Sequence, residues 1–134
     1  MATPPFELIT DVAEVWPVLQ ELAPPAVDGH NVQIEYVAAE IAADRAMCLR
    51  SADGVLLLVL QANLQKLDLE LNVWVAASTG PPGMIDRYLP VVEQIARDVG
   101  AARVVMQSPR LGWLRALPER WRVTMVTYEC EVQR

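Results

Sequence analysis

The chain has 134 residues, the size of one ordinary domain, and no Ser/Gly-rich stretch divides it, so a single domain over residues 1–134 is expected. Hydrophobic residues make up 53% against 21% charged, far from the disordered regime, and eleven basic against seventeen acidic residues leave a net charge of -6, which argues against general nucleic-acid binding. The longest apolar runs fall well short of the roughly 20 residues of a membrane-spanning helix, and the first residues lack the layout of a signal peptide, so a soluble, unexported protein is expected.

Phe6 to Ile9 reads as a short strand, and Asp11, with Glu14 three residues on, resembles a capping box that opens a helix. Val12, Val15, Trp16, Leu19 and Leu22 repeat at helical spacing, with Pro17 inside the run and Pro24-Pro25 ending it. After the turn-rich Asp28 to Asn31, a second helix places Ile34, Val37, Ala38 and Ile41 on one stripe. Met47 to Arg50 and Val55 to Ala62 read as strands joined antiparallel through Ser51-Ala52-Asp53-Gly54. From Leu67 to Val75 the alternation predicts a strand with Leu67, Leu69, Leu71, Val73 and Val75 on one face and Asp68, Glu70, Asn72 and Trp74 on the other.

Ser78 to Gly83 breaks regular structure, and Ile85, Tyr88, Leu89, Val92, Ile95, Ala96 and Val99 then mark a long amphipathic helix stopped by Gly100, with a kink expected at Pro90. Arg103 to Gln107 reads as a strand, Pro109 to Leu117 as a short helix and Val123 to Val132 as a last strand. The fold class is therefore α/β (α+β): a mixed, mostly antiparallel sheet with helices on both faces. Cys48 and Cys130 both fall in predicted strands and are expected to be buried thiols, and a single histidine, His30, cannot build a multi-histidine centre, so no metal is expected.

The element order, a three-strand meander feeding a Gly/Pro loop and then a long helix, resembles the GNAT (Gcn5-related N-acetyltransferase) fold. The stretch Ser108-Pro109-Arg110-Leu111-Gly112-Trp113-Leu114-Arg115-Ala116-Leu117, followed by Trp121, is similar to the R-x-G-W-x-R-x-L segment of small GNAT-like proteins of tailed bacteriophages. That resemblance implies an acetyl-CoA site in the splay between the Leu67 to Val75 strand and the Arg103 to Gln107 strand. Backbone groups of Val73 and Val75 would hold the pantetheine arm, and Gly80 and Gly83 would approach the pyrophosphate.

The family's Q/R-x-x-G-x-G/A loop is matched here only at its fourth position, by Gly80 or by Gly83, and Pro81 and Pro82 have no N–H to offer an anion. The loop therefore reads as degenerate, and no cofactor is expected unless the protein is an enzyme, in which case the cofactor is acetyl-CoA. Two functions follow. The first is a phage-type contact protein, a virion or head-assembly component in the host cytoplasm, working through a protein partner or a homo-oligomer. Its candidate surface is Arg110, Trp113, Arg115, Arg120 and Arg122, residue types enriched at interface centres.

The second is an acetyl-CoA-dependent N-acyltransferase acting on an amine. Here Glu70, on the strand where several family enzymes keep a catalytic Glu, would be the general base, and Tyr128 would stand in for the family's acidic Tyr. The alternative for Glu70 is a solvated or helix-facing carboxylate beside Asp68 and Asn72. Trp74 shares the Glu70 face and either lines a cleft or packs beneath a helix.

Overall fold

The structure, a computed structural model, describes residues 6–23, 34–78, 85–106, 120–122, 124, 128 and 130–132. Its elements run β1 (Glu7–Ile9), α1 (Val12–Leu22), α2 (Ile34–Ala42), β2 (Ala46–Arg50), β3 (Gly54–Asn63), β4 (Asp68–Ser78), α3 (Ile85–Asp98) and β5 (Arg103–Met106). The five strands lie in one sheet in chain order. The pairs from β1 through β4 are antiparallel, and β5 joins β4 in parallel after the α3 crossover.

Local chemistry sets the boundaries. The Asp11 side chain accepts the Ala13 N–H at 3.0 Å, supplying the N-cap of α1, and the helix runs on through Pro17. Pro90 is likewise accommodated inside α3, which closes at Gly100 with φ +78°, a conformation glycine adopts without cost.

β3 is apolar without interruption from Val55 to Leu60, the mark of a strand covered on both faces. Val55 and Leu57 face α1 and α2, together with Val15, Leu19, Val37 and Cys48. Leu56 and Leu58 face α3, together with Leu71, Val73, Tyr88, Val92 and Ala96. The predicted arrangement of helices on both faces is what the chain adopts.

The α3 layer is fixed at one point by a buried phenol. The Tyr88 hydroxyl donates to Asp53 Oδ1 at 3.3 Å and lies 3.5 Å from Ser51 Oγ, while its ring meets Phe6 edge-on with centroids 5.0 Å apart. A Cβ at Gly54 would overlap that hydroxyl and stand 2.8 Å from the Ala77 carbonyl oxygen, so the turn needs glycine for space.

Three expectations are corrected. Leu67 is not in the strand but in the turn before it, with φ +56° and 86% exposure, because Asn63 Oδ1 accepts the Gln65 and Lys66 N–H groups and closes the hairpin early. Val75 does not share the face of Leu71 and Val73 but packs with Leu57 under α1. Cys130 is exposed, whereas Cys48 is buried, and burial pushes the Cys48 thiol up to about 11. The described residues of the predicted last strand, Thr124, Tyr128, Cys130, Glu131 and Val132, carry no strand assignment. The predicted helix from Pro109 to Leu117 and His30 lie outside the described residues. Among the described residues, no helix is long and apolar enough to cross a membrane.

Candidate functional site

The shift of Val75 to the other face has a local cause. Leu58 pairs with Val73 but Leu57 pairs with Val75, so Trp74 is an extra residue on β4. Such a bulge bends its strand and increases local twist. It also puts two neighbours on one side of the sheet: Trp74 and Val75 both pack on the α1/α2 core.

The bulge coincides with the end of the described ladder to β5, whose registered pairs are Glu70↔Arg103, Leu71↔Val104, Asn72↔Val105 and Val73↔Met106. Among the described residues no strand pairs with that edge of β4 from Trp74 to Ser78. Val73 therefore stands within the parallel ladder and Val75 beyond it. Backbone N–H and C=O groups on an unpaired edge need partners.

On the α1/α2 side, below the bulge, the sheet turns polar. Glu70 accepts the Gln61 amide N–H at 3.0 Å on one carboxylate oxygen and the Asn63 amide N–H at 3.1 Å on the other. Arg103 Nε lies 3.8 Å from Glu70, and its guanidinium forks onto Asp68, with Nη1 at 3.1 and 3.0 Å from the two oxygens. The Gln61 hydrogen bond foremost, then Asn63 and the Arg103 charge, hold the Glu70 carboxyl below its ordinary range, against burial and the Asp68 charge. Glu70, whose side chain is only 12% exposed, is thus a fixed and ionised carboxylate.

Above this network lies an open cleft of about 490 Å³, lined among others by Tyr36, Glu40, Arg45, Gln61, Asn72 and Trp74. Trp74 does both things expected of it, packing on the core with one part and lining the cleft with another. Arg45 is committed to Glu40 through bonds of 2.8 and 3.1 Å, which keep the Glu40 carboxyl ionised and its pKa lowered. Asn72 Oδ1 and Arg103 Nε are buried without a hydrogen-bond partner.

The other candidate residues are dispersed. Tyr128 is 90% exposed, and among the described residues no hydrogen bond joins it to Glu70. Tyr88, the other phenol near the helix region, is tied down on the α3 face. Arg120 pairs with Glu93 of α3 and Arg122 is exposed. Gly80, Gly83, Arg110, Trp113 and Arg115 lie outside the described residues. Gln61, Asn63, Asn72 and Arg103 were not singled out from sequence. Among the described residues no group of three or more His, Cys, Asp or Glu side chains is placed to hold a metal.

No protein-family model matches the chain, and no curated protein matches its sequence. Solved structures do. An aminoglycoside acetyltransferase from an uncultured soil metagenomic sample is 12% identical with a TM-score of 0.69, covering 98% of this chain and 100% of its own. A second one from such a sample, solved in complex with sisomicin, is 11% identical with a TM-score of 0.69, over 98% and 97%. A ribosomal-protein-alanine N-acetyltransferase from Brucella melitensis biovar Abortus 2308 is 15% identical with a TM-score of 0.58, over 93% and 99%. With the bulged β4, the parallel β4–β5 pair and this likeness over nearly the whole chain, the fold is that of the GNAT acetyltransferases.

Proposed function

We propose that the protein is an acetyl-CoA-dependent N-acyltransferase. The observation that carries this reading is the extra residue at Trp74, which coincides with the end of the described β4–β5 ladder, so that among the described residues no strand pairs with β4 on that side from Val75 to Ala77. An unpaired edge suits the amide-bearing pantetheine arm, which can continue the ladder as a strand would. Val75, Ala76 and Ala77 supply the backbone groups, with Val73 at the start of the opening. Gly80 and Gly83 are the positions proposed to approach the diphosphate, although Pro81 and Pro82 bring no N–H there.

Acetyl-CoA supplies an activated thioester. The amine nitrogen attacks its carbonyl carbon, the C–N bond forms, the C–S bond breaks, and the thiolate leaves and takes a proton from water. Glu70 enters as the ionised carboxylate on the acceptor side of β4. The acceptor reacts as the neutral amine, and Glu70, a weak base, accepts the proton that its nitrogen sheds once the C–N bond has formed, when that nitrogen is strongly acidic. Tyr128, 90% exposed, is not required by this reading.

The contact-protein reading, with a protein partner or a second copy at Arg110, Trp113, Arg115, Arg120 and Arg122, is placed second, because the likeness to acetyltransferases spans 93% or more of the chain in the three cases above. Calorimetric titration with acetyl-CoA tests the choice. Micromolar binding is expected, and no heat at millimolar ligand would contradict the enzyme reading.

A further inference from the structure

Asn63, the last residue of β3, uses its side chain at both ends. Its Oδ1 accepts the Gln65 N–H at 3.1 Å and the Lys66 N–H at 2.9 Å, closing the β3–β4 turn. Its Nδ2 donates to Glu70 Oε2 at 3.1 Å. The register explains the reach: Gln61 stands directly opposite Glu70, and Asn63, two residues further along β3, projects from the same side of the sheet.

The two ends of that amide are not interchangeable. Turned end for end, it would set its N–H groups against the backbone donors of the turn and its oxygen against a carboxylate, with like facing like at both places. The backbone of Gln65 and Lys66 therefore decides which end meets Glu70. Gln61, which donates to the other Glu70 oxygen at 3.0 Å, belongs to the wall of the open cleft, whereas Asn63 is anchored in the turn. Among the described residues, the charged groups that face Glu70 are Asp68 of its own strand and Arg103 of β5, opposite in sign, while Glu40 and Arg45 at the cleft are paired with each other.

We propose that Asn63 is a positioning residue for Glu70: the hairpin turn fixes its amide end for end, so that a donor meets the carboxylate and holds it in place. This rests on the acyltransferase reading, in which Glu70 takes the proton from the acylated nitrogen, and it adds a residue outside the cleft wall that prepares the base. A donor on a carboxylate favours the charged form, so the same contact keeps Glu70 ready to accept that proton.

The test is an NMR titration of the whole protein, with the Glu70 carboxyl carbon identified by its disappearance in Glu70→Gln. In the wild type, the side-chain amide resonances of Asn63 should shift with the same midpoint as that carbon, below the ordinary glutamate value of about 4.3. An Asn63 amide that ignores the Glu70 titration overturns the inference, and this readout needs no variant to fold.

Asn63→Ser supplies the second measurement. A serine oxygen closes such turns too, but it offers no amide donor and falls short of Glu70. The Glu70 midpoint should move up toward its ordinary value, a change that a purely turn-closing Asn63 would not cause, and an unmoved midpoint in the folded variant overturns the inference. Acetyl-CoA titration separates the two possible failures. No binding at millimolar ligand overturns the acyltransferase reading and the part Asn63 plays in it, whereas binding together with an Asn63 amide blind to Glu70 overturns the inference alone.

Discussion

The two faces of the sheet are built from the same strands but differ in what they bury. On the α3 face the contacts are apolar from Leu49 to Ala96, and the buried hydroxyl there, that of Tyr88, is locked onto Asp53 and Ser51. On the α1/α2 face the apolar core stops at Trp74 and Val75, and Gln61, Glu70, Asn72 and Arg103 continue it as a polar network. A closed apolar layer stabilises a fold. A network that leaves Asn72 Oδ1 unpaired is less well suited to that task, so the contrast sets a face that stabilises the fold against the polar face on which the proposed chemistry is placed.

The contrast is tested most strongly in the α3 layer. Leu58→Ala, at a side chain with no exposure, should cost about 2–5 kcal/mol through lost burial and the cavity left behind, measured by denaturant unfolding. Gly54→Ala should cost about 1–3 kcal/mol by overpacking against Tyr88 and the Ala77 carbonyl. Combining it with Tyr88→Phe should recover part of that loss, because the clashing hydroxyl is gone. Strict additivity of the two changes would contradict the contact.

On the polar face the expected effect is smaller and depends on pH. The Glu70 carboxyl has a depressed pKa in the folded state, so its hydrogen bonds contribute stability that is present above the unfolded value of about 4.3 and is lost as pH falls through the folded value. Glu70→Gln should therefore flatten the acid side of the stability–pH profile, read as melting temperature from about pH 7 to about pH 3. A profile as steep as the wild type's would show that Gln61 and Asn63 do not favour the ionised form. The mildest test separates the thiols. Exposed Cys130 should be alkylated in the native protein, and buried Cys48, with its thiol raised to about 11, only after unfolding.

The sequence was legible where the pattern was local. The Asp11 cap, the antiparallel hairpin at Ser51 to Gly54, the uninterrupted apolar β3 and the α3 stripe all appear where their spacing places them. The bulge was not legible as such, because Leu71, Val73 and Val75 keep an even spacing that a regular strand would also give. Its trace is the loss of alternation after Val73, where Trp74, Val75, Ala76 and Ala77 run on as consecutive apolar residues.

The environment of Glu70 was hidden for a different reason. Its partners come from β3 and β5, and only the registers Gln61↔Glu70 and Glu70↔Arg103 bring them together. Leu67 was misplaced because one Asn63 side chain ended the hairpin before the apolar alternation began.

The central claim is that the edge of β4 released at Trp74 receives the acyl donor. Amide hydrogen exchange with and without acetyl-CoA tests it most directly. Protection should appear at Val75 to Ala77, with the amides of β1 exchanging as before. Unchanged exchange at Val75 to Ala77 under saturating acetyl-CoA would contradict it.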